Sequence, residues 1–187
     1  PGERVLDMGC GWGTLDWAMA SRVAGIVGVD FSAKSIEICE RLRERAALPN
    51  VRFVHADAGA TGLPAESFDL VIAADLFEHL YPEDSLRVAQ EAYRVLKPGG
   101  RFSVWTPHRG HFLEVMKNNH VLLRPDPTHV DYKSMARMRG LVEQAGFVTE
   151  RAYYAESHLP VLRTLERALL PALPFLRRRI AVLGRKA

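Results

Sequence analysis

The residues best placed to do chemistry stand within the first thirteen positions. Val5-Leu6-Asp7-Met8-Gly9-Cys10-Gly11-Trp12-Gly13 puts a carboxylate at the end of an apolar run, then three glycines at alternate positions. Glycines in such a loop permit a tight turn and let a ligand approach the backbone closely. A Gly-x-Gly-x-x-Gly spacing would point to a dinucleotide, its pyrophosphate set against a helix N-terminus. Here the third glycine comes one residue early and Asp7 precedes the loop. A carboxylate in that place repels a pyrophosphate and suits a ligand carrying an ammonium and a sulfonium. The pattern favours a cationic adenosyl ligand over NAD.

Two more acidic residues follow the next two strand-like runs. Asp30 closes Gly28-Val29-Asp30, with Phe31 and Ser32 behind it. An acidic side chain there can accept both ribose hydroxyls, in NAD and adenosylmethionine sites alike. Asp57, in His55-Ala56-Asp57-Ala58, could accept from an adenine amino group. Each alone reads equally as a turn residue. Three acids after three successive strands point instead to the carboxyl edge, where open α/β sheets bind ligands. Trp12, Phe31 and Phe77 are candidates to face a cationic centre, with plain packing as the competing reading. If the ligand's reaction partner is a hydroxyl, a histidine suits the role of general base. Four come into question: His79 in Glu78-His79-Leu80, His108 and His111 after the fifth strand, and His129 in Asp126-Pro127-Thr128-His129-Val130-Asp131-Tyr132. A loop-stapling role competes with catalysis at His129. His129 and His108 rank first and His79 after them; no metal is expected.

These residues need a scaffold, and the chain supplies alternating strand and helix patterns. Strands are expected at Arg4 to Met8, Gly25 to Asp30, Val51 to His55, Phe68 to Ala74 and Arg101 to Thr106. Between them, helices run from Thr14 to Arg22 and from a Ser32 cap to about Ala46, with Ile36, Ile38 and Leu42 among the apolar positions. A third opens at Pro82-Glu83, its apolar side including Leu86, Ala89, Tyr93 and Leu96, and ends at Pro98-Gly99-Gly100. Pro107 to Tyr132 breaks the rhythm: it holds four of the seven histidines, three prolines and an Asn-Asn pair. We read it as an irregular insertion over the sheet edge that selects the substrate. A helix from about Lys133 to Ala145, a strand from Val148 to Tyr154, a short helix near Val161 to Leu170 and a strand from Arg179 to Leu183 complete the pattern.

At 187 residues the chain suits one domain, spanning 1–187. Cys10 and Cys39 lie far apart with neither a metal spacing nor a paired framework, which suits a reducing compartment. The best apolar stretch, Ala168 to Leu176, is short and carries Pro171 and Pro174, so no membrane span is expected. No charged-then-apolar leader stands at the start, and the expected location is cytoplasmic. The net charge of +3 is uneven: from Arg151 onward eight Lys and Arg face only Glu156 and Glu166. Such a tail could touch phosphates or an anionic membrane surface. A solvated face and an arginine-flanked strand is the reading we prefer.

The whole constellation resembles the class I S-adenosylmethionine-dependent methyltransferases, in particular the type 11 methyltransferase domain. The likeness is carried by Asp7 to Gly13, Asp30, His55-Ala56-Asp57-Ala58, Phe68 to Val71 through Phe77 to Leu80, Arg94-Val95-Leu96-Lys97-Pro98-Gly99-Gly100, and Leu141 to Phe147. It implies a Rossmann-like doubly wound sheet of order 3-2-1-4-5-7-6 with strand 7 antiparallel. It also implies S-adenosyl-L-methionine as cofactor, with S-adenosylhomocysteine as product, held by Asp7, Gly9, Cys10, Gly11, Asp30, Phe31, Asp57, Ala58 and Ala74. The implied activity is methyl transfer to an oxygen or nitrogen of a small molecule. The family's helices before the first strand, which often cover the cofactor, are not in this sequence. Gly-Cys-Gly-Trp-Gly is also similar to the loop of cyclopropane fatty-acid synthases, for which the chain is short. Two readings stay beside this one: a binding module of the same fold without catalysis, and a nicotinamide-dependent oxidoreductase. Asp7 and the glycine spacing count against the second. A nucleic-acid substrate is disfavoured, because Ala74-Asp75-Leu76-Phe77 lacks the amide and aromatic pair that grips a flipped base.

Overall fold

The computed structural model describes residues 2–119, 124, 126–155, 163–164, 172–173, 175 and 177–187. Among these, β1 (Arg4–Met8), β2 (Gly25–Asp30), β3 (Val51–His55), β4 (Phe68–Ala74), β5 (Leu96–Pro107), β6 (Phe147–Ala155) and β7 (Arg179–Lys186) form one sheet. Its order is β3-β2-β1-β4-β5-β7-β6. β7 runs antiparallel to both its neighbours, and the remaining pairs are parallel. The Rossmann-like order implied by the family resemblance is therefore the one found. β1 pairs with β2 on one side and with β4 on the other, so the chain winds outward in two directions from β1. The crevice at the carboxyl ends of β1 and β4 is the switch point where such sheets take ligands.

β1 shows why the parallel strands read as unbroken apolar runs. Val5 joins a core with Ile26, Ile36, Cys39, Val51 and Phe53, while Leu6 and Met8 join a larger one with Phe68, Val71, Phe77 and Phe102. Side chains alternate between faces, and both faces of this sheet are covered.

α1 (Thr14–Met19) tightens into a 3₁₀ turn over Ala20–Arg22. α2 (Ala33–Ala46) starts at the expected cap, where Ser32 Oγ accepts from the Ser35 N–H at 3.2 Å. Its buried face is Ile36 and Cys39, and Leu42 is 42% exposed, contrary to the apolar side read from the sequence. α3 (Pro82–Val95) opens with proline at its first turn, a position that needs no N–H. It passes directly into β5. Leu96 pairs with Phe68, and pairing resumes only at Arg101 with Leu70. Pro98-Gly99-Gly100 thus bulges out of a strand and does not separate the helix from it. The insertion, expected to be irregular, holds α4 (Phe112–Asn118). α5 (Met135–Gln144) is capped by Ser134, whose Oγ accepts from the Arg137 N–H. Of the stretch from Val161 to Leu170, where a helix is expected, only residues 163–164 are described, and both are helical. No helix among the described residues is long and apolar enough to cross a membrane.

Candidate active site

The glycine loop leaves β1 with Gly9, Gly11 and Gly13 all at positive φ (78°, 53° and 73°). The Gly9 and Cys10 N–H groups donate to the Val29 carbonyl at 2.8 and 3.0 Å, which ties the loop to β2. At Gly9 a Cβ would stand 3.0 Å from Leu76 Cδ1, so both sterics and conformation demand glycine. At Gly11 a Cβ would meet nothing within 4 Å; only its φ requires glycine, and the space above it is open. The Gly11 N–H donates to Asp30 Oδ2 at 2.9 Å, and the Ser32 N–H donates to Asp30 Oδ1 at 2.8 Å. Asp30 is thereby clamped between two loops, with acceptor capacity left on both oxygens.

A cleft of about 660 Å³ opens here. Of the residues expected to hold a cofactor, Gly9, Gly11, Asp30, Phe31, Asp57 and Ala58 line it. Phe31 stands 80% exposed at the lip. Asp57 is already engaged: Oδ1 accepts from the Gly59 N–H at 2.7 Å and Oδ2 from Arg87 at 3.0 Å. Burial pulls its carboxyl up, but these two partners outweigh it and hold the group below the usual range. Asp75, at the exit of β4, also lines the cleft in a left-handed conformation (φ 52°) that costs a non-glycine residue energy, and it pairs with Arg179 of β7.

Asp7, Cys10 and Ala74 are not among the lining residues. Asp7 is 3% exposed and lies beneath the loop against Asp16 of α1, which is fully buried. Burial first, and the Asp16 charge second, push the Asp7 carboxyl well above its usual value; burial takes Asp16 to about 6. Asp7 therefore faces a second carboxyl under the loop, where the sequence had suggested a carboxylate presented to the ligand. Cys10 is buried, and Cys39 Sγ donates to the Gly11 carbonyl at 3.4 Å. Burial raises both thiols, Cys39 to about 11, so they act as packing. Phe77 is fully buried against Phe102 and cannot face a ligand's cation.

The fit to an adenosyl cofactor rests on these observations: a glycine cradle open above Gly11, a clamped carboxylate with free acceptor capacity, and a cleft of nucleoside size. Asp30 would hold the ribose hydroxyls, with Asp57 and Ala58 at the adenine end.

The histidines divide. His79 lines the cleft and meets His129 edge-on, ring centroids 4.8 Å apart. His79 Nδ1 lies 2.9 Å from the Thr128 carbonyl, and Thr128 lines the cleft as well. Between this pair and the sheet sits Glu78, 1% exposed, its Oε2 accepting from Thr106 at 2.9 Å. Burial pushes the Glu78 carboxyl to about 7. Its carbonyl accepts from the N–H groups of Val130 and Asp131, which draws the end of the insertion onto the exit of β4. Lys133, fully buried, fastens the same corner by donating to the carbonyls of Phe77 and Asp131 at 2.9 and 3.0 Å. Among the described residues, Glu78, His79 and His129 bring atoms of metal-ligand type within 4.8 Å of one another. Each already has one hydrogen-bond partner in the protein. His108 is not part of this trio: its Nδ1 lies 3.0 Å from the Arg177 carbonyl and its ring meets Tyr154. His111 is buried against Phe112. Burial lowers the affinity of both for a proton. Sequence reasoning passed over Asp16, Glu78 and Lys133 as functional positions; of these only Glu78 carried a signal, standing beside His79 in the segment after β4.

A profile of the methyltransferase domain family matches residues 5–100. The chain is 39% identical over 101 residues to the ubiquinone biosynthesis O-methyltransferase of Paracidovorax citrulli, covering 53% of this chain and 41% of that protein. With the protein of the same name from Pseudomonas putida it shares 33% over 141 residues, or 73% of this chain and 59% of the other. This chain thus spans about half the length of the curated relatives it matches. The structure of an S-adenosylmethionine-dependent methyltransferase from Archaeoglobus fulgidus superposes with a TM-score of 0.74 at 20% identity, covering 98% of this chain and 86% of that one. With the glycine loop, the clamped Asp30 and the sheet order all in place, the chain belongs to the class I S-adenosylmethionine-dependent methyltransferase family.

Proposed function

We propose that this chain transfers a methyl group from S-adenosylmethionine to an oxygen of a small-molecule acceptor in the cytoplasm. The observation that carries the reading is Asp30, its two oxygens fixed by the Gly11 and Ser32 N–H groups at the wall of the 660 Å³ cleft. The relatives' printed names, with O-methyl transfer in them, support oxygen over nitrogen. When bound, the cofactor supplies a methyl on a sulfonium, so the protein has little covalent work to do. Its residues align the two partners and exclude water. Gly9 and Gly11 let the ligand approach the backbone, Asp30 orients it, and His79 stands at the same cleft with the His129 ring packed against it, a pair able to accept a proton. A binding module without catalysis would have no use for that histidine pair beside the intact glycine loop.

Replacement of Asp30 tests the assignment. Asp30→Ala removes both charge-assisted contacts to the ribose and should weaken S-adenosylhomocysteine at least about 30-fold, or roughly 2 kcal/mol, by calorimetry. Equal affinity in the variant and the parent would remove the ribose contact, and with it the basis for the cofactor.

A further inference from the structure

The insertion carries a hydrogen-bond chain whose polarity is dictated by its members. The Tyr132 hydroxyl lies 2.8 Å from Glu114 Oε2 and 2.8 Å from His129 Nδ1. Glu114 is 8% exposed and ion-paired with Lys117 at 3.1 Å. Burial pulls its carboxyl up, yet Tyr132 and Lys117 together outweigh that and hold it below the usual range, so it is ionised near neutrality. An ionised carboxylate only accepts, and a phenol has one proton. The tyrosine proton therefore points to Glu114. His129 Nδ1 must then be the donor to the tyrosine oxygen; burial lowers the ring's affinity for a second proton, and in the neutral ring Nε2 carries a bare lone pair. Among the described residues the charged atom nearest Nε2 is Asp126 Oδ2 at 3.7 Å, an acceptor beyond hydrogen-bond range. The groups around the ring are thus Tyr132 at Nδ1 with Glu114 and Lys117 behind it, Asp126 toward Nε2, and His79 and Glu78 close to the ring.

We infer that Tyr132 and Glu114 are positioning residues that hold His129 as an Nδ1-protonated imidazole, its Nε2 free beside the cleft to take the hydroxyl proton of a methyl acceptor. The use of Nε2 rests on the proposed oxygen-directed methyl transfer; the tautomer does not. In that use the acceptor's O–H bond breaks and its proton goes to Nε2. The oxygen's electron pair forms the bond to the methyl carbon, and the carbon–sulfur pair stays on sulfur as the neutral thioether. The resulting imidazolium faces Asp126 on one side and, through Tyr132, the Glu114 carboxylate on the other. The arrangement follows the logic of an acid–base pair oriented by a third group. It also gives the insertion, read from the sequence as a selector of substrate, a share in the chemistry.

Two-bond ¹H–¹⁵N correlation spectra of the labelled full chain, recorded with a chelator at pH 8, read the tautomer of each histidine directly, and His129→Gln assigns the signals. The wild type should show the proton on Nδ1 of His129. Tyr132→Phe keeps the ring but removes the acceptor, and should shift His129 toward the Nε2-protonated form. Glu114→Gln, whose amide oxygen can still accept the phenol proton, should leave the wild-type tautomer in place. A proton on Nε2 in the wild type, or an unchanged tautomer in Tyr132→Phe, would overturn the inference. Saturating S-adenosylhomocysteine should move the His129 Nε2 signal, and no movement with calorimetrically confirmed binding would remove His129 from the cleft. Failure of the ligand to bind would strike the methyl-transfer reading instead and leave the tautomer result standing.

Discussion

Asp16 is the residue whose chemistry the sequence concealed. An acid in the first turn of a helix reads as a partner for the helix dipole and asks for no further account. Here it is fully buried, and neither oxygen has a hydrogen-bond donor unless the adjoining Asp7 carboxyl carries a proton. Burial raises Asp16 from an ordinary carboxylate value to about 6. The folded state therefore binds that proton more tightly than the unfolded chain does, and stability is lost as pH rises from about 4 to 6. Asp16→Asn should raise stability by about 1–3 kcal/mol at pH 8, with the gain vanishing below about pH 4, as measured by denaturant melts. Equal stabilities at pH 8 would show that Asp16 already has a partner there. By contrast Asp30 was legible as one of three acids after three successive strands, a pattern that a lone turn residue would not give. Tyr132 and Glu114 were not: eighteen residues apart, they meet only through the path of the insertion, which no periodicity encodes.

β1 to β4, α2 and the start of α3 lie where the sequence placed them, whereas the boundary between α3 and β5 does not. α2 and α3 announced themselves through Ser32 and Pro82. The start of β5 did not, since Leu96 belongs to the strand only because Phe68 is there to pair with it. α3 also shows how an element is tied to the loop ahead of it. Glu91 accepts from the Thr61 N–H and hydroxyl, and Arg94 reaches from Glu91 to the Leu63 carbonyl. Arg94 chiefly, with Thr61, lowers the Glu91 carboxyl to about 2. A depressed carboxylate contributes stability above its unfolded value near 4.5 and loses it as pH falls toward 2. Glu91→Gln should cost about 1–3 kcal/mol at pH 7, and the difference from the parent should fade between about pH 4.5 and 2. A difference that persists undiminished at pH 2 would assign the loss to packing and not to the charge.

At the scale of the whole molecule, the sheet brings together residues that the sequence spreads from Gly9 to Lys133. The loops after β1, β2 and β3 make the cofactor wall, and the exit of β4 receives the far end of the insertion through Glu78 and Lys133. The cofactor half was legible because successive strand ends must share one edge of a parallel sheet. The acceptor half was not, because it depends on where an irregular segment comes back to the core. We propose that this edge is an adenosyl site with no place for a pyrophosphate. Calorimetric titration of the chain with S-adenosylhomocysteine, and in parallel with NAD, tests it most directly. Micromolar binding of S-adenosylhomocysteine and no heat from NAD is the predicted result. Binding of NAD in its place would contradict that reading, because the third glycine of the loop comes one residue too early for a dinucleotide fingerprint.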